Sequence, residues 1–199
     1  MRIDLCFRVR GESIPLDDAY PLFSSLSDAI PELHADPSIG IHPIHGHAID
    51  GRLRLTNRSQ LILRIPEESR PGCEALSGKS FRVADATVQV QFWEAHRLIP
   101  RVSLFSPFVV IKGFQEPQTF HAAVGRKLAE MGIEAKTYLV RSPKPQHQYV
   151  RQVMRIHGRT IVGFAVEISE LLAEDSIRIQ EEGVGGRHHF GCGLFVPGR

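Results

Sequence analysis

The order of hydrophobic periods constrains this chain more than any other feature. Apolar residues alternating with polar ones point to strands, and apolar residues three and four apart point to amphipathic helices. Ile3–Arg10 alternates. Across Asp17–Leu33, Ala19, Leu22, Phe23, Leu26, Ala29, Ile30 and Leu33 fall near helical spacing, and Pro31 should kink or end that helix a turn early. A loop-rich stretch, His34–Asp50, precedes strands at Arg52–Thr56 and Gln60–Ile65 and a short helix within Glu68–Leu76. Ser80–Glu94 alternates as one strand, with Phe92 and Trp93 assigned to the core. The order then repeats. Strand Val102–Ile111 contains Pro107, a residue suited to a bulge or an edge. Next come helix Gln118–Met131, strand Glu134–Val140 and a hairpin of Arg151–Ile156 with Thr160–Glu167. A short helix at Ser169–Glu174 and a last strand at Cys192–Val196 complete the chain. Each half reads strand, helix, strand, strand, helix, strand. The expectation is therefore α+β, a tandem pair of ferredoxin-like (βαββαβ) domains. They would occupy residues 1–98 and 101–199, with the boundary near Leu98-Ile99-Pro100.

Composition removes several other classes. At 42% hydrophobic over 199 residues the chain has enough apolar side chain for a core, which excludes disorder as its main state. No stretch approaches the ~20 apolar residues of a membrane span. Met1-Arg2-Ile3-Asp4-Leu5 reads as a first strand, not a signal peptide. Cys6, Cys73 and Cys192 are odd in number and far apart, which suggests neither a disulfide framework nor a metal knuckle and points to a reducing, cytoplasmic setting.

The net charge of +2 hides strong segregation. Gly51–Pro66 holds Arg52, Arg54, Arg58 and Arg64 without an acid. Ala135–Val166 holds Lys136, Arg141, Lys144, Arg151, Arg155 and Arg159, with His147 and His157, again without an acid. One such stripe is an ordinary solvated strand face; two favour a polyanion such as nucleic acid. In the second stripe a proline-containing loop feeds a hairpin on which Arg151 and Arg155 share a face. Arginine forks onto phosphates, and Tyr149 or His147 suits stacking on an unpaired base.

Two further segments carry chemistry. Gly183-Val184-Gly185-Gly186-Arg187-His188-His189-Phe190-Gly191-Cys192-Gly193 places five glycines in eleven residues. It is neither a dinucleotide fingerprint nor a Walker loop, because it leads into a strand. Gly185 and Gly186 with Arg187, His188 and His189 suggest a backbone phosphate site; a flexible hairpin turn is the plainer alternative. The second segment is the histidine group His34, His42, His45 and His47. Imidazole, with a pKa near ~6.5, suits proton transfer worth roughly 10²–10⁴-fold. Zinc or nickel on His42-x-x-His45-x-His47 is a weaker reading, because the spacing matches no standard site.

The glycine-rich run through Gly193-Leu194-Phe195-Val196-Pro197 resembles the C-terminal signature of the RAMP superfamily. It is particularly similar to that of the CRISPR-associated endoribonucleases that process precursor CRISPR RNA. Leu33-His34-Ala35-Asp36-Pro37-Ser38-Ile39-Gly40-Ile41-His42-Pro43-Ile44, followed by Gly51-Arg52-Leu53-Arg54-Leu55-Thr56, resembles the small myxobacterial-type subtype. The resemblance implies tandem ferredoxin-like domains and binding of a CRISPR repeat stem-loop. It also implies cleavage without a metal or other cofactor: a ribose 2′-hydroxyl attacks the adjacent phosphate, leaving a 2′,3′-cyclic (or 3′) phosphate and a 5′-hydroxyl. DNA lacks that nucleophile and is not cut. Other CRISPR effector subunits are implied partners, and no membrane is.

In several members the general-base histidine follows the first helix in a Leu-His-acid setting, which Leu33-His34-Ala35-Asp36 matches. His34 is thus the first candidate, His42 the second and His45 the third. Other members carry that histidine within the helix, where this chain has Ser27. Tyr20 is a candidate for orienting the ribose. Arg52, or Arg54 on the same strand face, is the candidate for charge at the phosphate. Arg141, Lys144, Arg151, Arg155, Gly185, Gly186, Arg187 and His188 are candidates for holding RNA. Three rivals remain at this point: a repeat-RNA-binding subunit without catalysis, a metal-dependent hydrolase on the histidine cluster, and a mononucleotide binder built on the glycine loop.

Overall fold

A computed structural model describes the chain apart from residues 31, 32, 34, 35, 37, 38, 144–147, 157 and 199. Of the residues singled out above, Pro31, His34, Pro37, Lys144, His147 and His157 lie outside the described residues. Two compact units are present. One comprises Met1–Arg97 with His189–Gly191, the other Leu98–His188 with Cys192–Arg199.

The first unit holds β1 (Arg2–Arg10), β2 (Ser13–Pro15), α1 (Ala19–Ala29), β3 (Gly40–Ile41), β4 (His47–Ile49) and β5 (Arg52–Arg54). It continues with β6 (Gln60–Pro66), the short helix α2 (Arg70–Glu74), β7 (Ser80–Val83) and β8 (Ala86–Arg97). Five strands form a sheet in the order β3-β6-β1-β8-β7, with antiparallel pairing throughout. Setting β7 aside, the βαββαβ strands lie in the spatial order fourth, first, third, second. β2, β5 and β4 make a separate small sheet, of which β4 and β5 are inserted between β3 and β6. Leu5, Phe7 and Val9 of β1 meet Leu22 and Leu26 of α1 in one core. The helix stops at Ala29, and Ile30 is extended (φ −133°, ψ 90°). A residue before proline is pushed out of the α region, so Pro31 accounts for that stop.

The second unit holds β9 (Ser103–Val109), α3 (Pro117–Glu130), β10 (Lys136–Leu139), β11 (Arg151–Ile156), β12 (Arg159–Ser169), α4 (Ala173–Glu182) and β13 (Val196–Pro197). Its sheet runs β10-β12-β9-β13, with β11 also on β12. Again the order is fourth, first, third, second. The fold is thus tandem ferredoxin-like, with the same strand order in both units although no sequence repeat is visible. Phe120, Val124 and Leu128 of α3 pack with Phe164 and Val166 of β12 in the second core. Phe164 pairs with Val109 but Val166 with Ser106, so β9 carries a bulge at Pro107 and Phe108.

Four expectations need correction. Ser80–Glu94 is not one strand. It folds back at Ala84, whose φ is 55°, to make the β7–β8 hairpin. Phe92 is 58% exposed, not core, whereas Trp93 packs against the core. A second bulge explains this: Phe7 pairs with Trp93 and Val9 with Val90, so β8 has an extra residue opposite Arg8. The insertion reverses the in–out phase, turning Phe92 away from the side that Val88 and Val90 bury. The last helix is not Ser169–Glu174; β12 runs through Ser169 and α4 follows at Ala173–Glu182. Finally, Cys192–Val196 is not a strand. The Cys192 and Gly193 N–H groups donate to Arg187 O (3.3 Å) and Phe108 O (2.8 Å), and only Val196–Pro197 joins β9.

Candidate nucleic-acid interface

The glycine-rich turn is built by close backbone approach. Gly185 has φ +86°, and a Cβ there would lie 2.3 Å from Val110 O, so no other residue fits without displacing the chain. Gly186 N–H donates to Val110 O (3.1 Å) and Val184 N–H to Gly193 O (3.1 Å). This corrects part of the phosphate reading. The Gly186 amide is directed into the protein, so the glycines shape the turn and the cations around it are left to meet an anion. Arg187 is exposed at φ 69°. His188 is half-buried: its ring covers Gly183 and its Nε2 lies 3.3 Å from Gly185 O. A groove of about 640 Å³ opens beside the turn, lined by Gly185, Gly186, Arg187, Lys112, Lys127 and Ile161 among others. Sequence reasoning missed Lys112, and Lys127 is paired with Glu130 on α3. Neither belongs to a charge run, and topology alone brings them to the turn.

The next three residues belong to the first unit. The His189 ring stacks on Phe23 (centroids 5.2 Å, 11°), and Phe190 packs on Phe23 at 5.0 Å and on Tyr20 at 6.4 Å. His189 Nε2 lies 2.9 Å from Asp36 O, the proton being on the histidine if the carbonyl is to accept. Gly191 sits against Pro43, where a Cβ would approach within 2.9 Å. Residues 189–191 are therefore held against Asp36 and Pro43 within the first unit. Sequence reading grouped His189 with the phosphate turn; the partner it meets in the structure stands 153 residues away. Tyr20, flanked by Phe190, is half-buried on α1.

The remaining histidines separate. His42 is 6% exposed, with Nε2 3.9 Å from Asp4 Oδ1. Burial, aided by the charge of Arg64, pushes its pKa down to about 3 against the pull of Asp4, so it is neutral. Its position is that of a core side chain, which counts against the proton-transfer role considered for it. Arg64 forks onto Asp4 at 2.8 and 2.9 Å. Burial alone would raise the Asp4 pKa, but the Arg64 hydrogen bonds and charge outweigh it and hold the carboxyl below its usual range. His45 and His47 are exposed. Among the described residues no group of three or more His, Cys, Asp or Glu is placed to hold a metal ion.

The first basic stripe proves uneven. Arg64 is buried and paired, and Arg52 is gripped by Asp85 (3.0 Å) and by Ser13 Oγ (2.8 Å). The Arg52 charge expected at a phosphate is thus compensated by a carboxylate. Arg54 and Arg58 remain exposed. In the second stripe Arg151, Val153 and Arg155 face out along β11 while Met154 and Ile156 are buried, and Lys136 is paired with Glu170 (2.6 Å). Arg141, exposed, bridges to Tyr149 at the base of the preceding loop.

Two ferredoxin-like units, the second with a glycine-rich turn ahead of its last strand, make this a tandem ferredoxin-like protein. The fold is similar to that of a solved structure described as "An RAMP protein binding different RNA substrates" (TM-score 0.70, 15% identity, 98% of each chain covered). It is equally similar to one described as "Characterization of a Cas6-related gene from Pyrococcus furiosus" (TM-score 0.69, 14% identity, 98% of each). In sequence, the chain is 36% identical over 195 residues to the "CRISPR-associated endonuclease Cas6" of Myxococcus xanthus (strain DK1622), covering 98% of this chain and 81% of that protein. The family model described as "Cas6 Crispr" matches residues 3–199, and the chain belongs to the Cas6 family. Among the described residues no helix is long and apolar enough to cross a membrane.

Proposed function

We propose that this Cas6 protein is an endoribonuclease that binds CRISPR repeat RNA as a stem-loop and cuts precursor crRNA once within each repeat. The ribose 2′-hydroxyl attacks the neighbouring phosphate, giving a 2′,3′-cyclic (or 3′) phosphate and a 5′-hydroxyl. The nucleophile belongs to the substrate, so the protein needs to supply only a base, an acid and positive charge, and no metal. His34 takes the proton of the 2′-hydroxyl or gives one to the leaving 5′-oxygen. Arg54 supplies charge at the scissile phosphate in place of Arg52, which Asp85 engages. His42, neutral and buried beside Asp4 and Arg64, is a supporting core residue in this scheme.

The observation that carries the reading is the hydrogen bond from His189 to Asp36 O, 2.9 Å long. It fixes His189, within the glycine-rich segment, to a residue two positions after His34 in the chain, which supports a role for that stretch. Arg141, Lys144, Arg151, Arg155 and Arg187, with Gly185 and Gly186 shaping the turn, hold the RNA. The cut guide stays bound and passes into a complex with other CRISPR effector subunits. Three buried free thiols suit a reducing cytoplasm. His34→Ala should abolish cleavage of repeat RNA and leave its binding within a few-fold. A variant that cleaves at the wild-type rate removes His34 from the mechanism.

A further inference from the structure

We propose that the outer face of β1 and β8 in the first unit is a second RNA site, specific for unpaired nucleotides, with Phe92 as its stacking platform. The proposal rests on the RNA-binding reading above but concerns a different surface. A groove of about 410 Å³ is lined by Arg8, Arg10, Asn57, Arg58, Gln91 and Phe92, with Val9 beneath. It joins three guanidinium groups to an aromatic ring and contains no acid. The first acid along that face of β8 is Glu94, whose carboxylate lies 3.5 Å from His96 Nε2.

The ring is out by construction. The bulge opposite Arg8 turns Phe92 to the outer face and buries Trp93 in its place. Phe92 is 58% exposed in the middle of a twelve-residue strand, and it stands beside the arginines of the groove. One of the cations and the backbone of the neighbouring turn are held in place. Arg8 Nη1 donates to Asn57 O at 2.7 Å. The turn bearing Asn57 and Arg58 is closed by Ser59 N–H to Thr56 O (3.0 Å) and by Thr56 N–H to Ser59 Oγ (2.9 Å). Ser59 Oγ in turn donates to His45 O (2.6 Å). An exposed aromatic face flanked by arginines matches a single-stranded nucleic acid, in which each base offers a π-face and each linkage a phosphate. Paired bases hide those faces, so the site should ignore duplex.

The test uses the full chain and two forms of labelled repeat RNA. One is the stem-loop alone; the other carries a six-nucleotide single-stranded uridine extension. In wild type the extension should tighten binding. Phe92→Ala should remove that advantage, about 5- to 100-fold in Kd, while leaving the stem-loop alone unchanged, and Phe92→Trp should keep it. Arg10→Ala with Arg58→Ala should make the salt dependence for the extended RNA shallower by roughly 1.4 in log–log slope, and leave that of the stem-loop as it was. Equal losses for both RNAs, or an extension effect untouched by Phe92→Ala, overturn the proposal. If the wild-type protein neither binds nor cuts the stem-loop, the functional reading falls and this proposal with it. If it does both while Phe92→Ala is silent, only the second site falls.

Discussion

Replacing His189 with alanine tests how the site is assembled. The ring makes two contacts within the first unit: a hydrogen bond to Asp36 O at 2.9 Å and a near-parallel stack on Phe23 at 5.2 Å. A net hydrogen bond contributes about 1 kcal/mol and an aromatic pair about 0.5–1.5 kcal/mol. Their joint loss should therefore cost about 1.5–2.5 kcal/mol. If that energy holds the His34 stretch in its working position, it appears in the transition state as a cleavage rate lower by about 10- to 100-fold. Single-turnover cleavage of repeat RNA measures the rate, and a parallel binding titration separates it from affinity, which should change by less than threefold. His189→Phe keeps a stack without the hydrogen bond and should fall between wild type and alanine. The reasoning is refuted if His189→Ala cleaves at the wild-type rate, or if the whole loss appears as weakened binding.

Two other outcomes follow from the same structure. Arg151→Ala with Arg155→Ala should weaken stem-loop binding and make the log–log salt slope shallower by roughly 1.4 to 1.8, with no change in the bound cleavage rate; a slope equal to wild type would remove β11 from the interface. At the start of α1, burial and the neighbouring Asp17 charge raise the Asp18 pKa to about 6, and its Oδ2 is buried without a partner. An acid with a raised folded-state pKa stabilises the fold below its unfolded value of 3.8, and that stabilisation is lost as pH rises through about 6. Asp18→Asn should thus stabilise the protein at pH 8, by at most about 3 kcal/mol, and have little effect at pH 4. Equal effects in urea unfolding at the two pH values would refute the assignment.

How much of this was readable in the sequence depended on whether the signal was local. The alternation of Ile3–Arg10 and the helical spacing of Phe120, Val124 and Leu128 are local, and β1 and α3 stand where those patterns put them. Phe92 was misread because a bulge shifts the phase of β8, and its position depends on the register with β1. The helix α4 was misplaced because its buried face is made of Ser176, Ile179 and Gln180, which show little apolar period. At the site, the glycine segment was visible but its hydrogen bonding was not. Gly186 donates inward to Val110, a partner that only the fold brings near. Charge counting likewise overstated the first stripe, because Arg64 and Arg52 meet Asp4 and Asp85, acids distant in sequence. His189 acquires its role from Asp36 and Phe23, near the other end of the chain.

The central claim is that the RNA supplies its own nucleophile while the protein supplies imidazole and charge. It is tested most directly by incubating repeat RNA with the protein in excess EDTA, beside a substrate carrying one 2′-deoxy residue at the scissile position. The account predicts undiminished cutting of the all-ribose RNA, with a 5′-hydroxyl and a 2′,3′-cyclic (or 3′) phosphate as end groups, and a deoxy substrate that binds but stays whole. Loss of cutting in EDTA, cleavage of the deoxy substrate, or products ending in 5′-phosphate would contradict it.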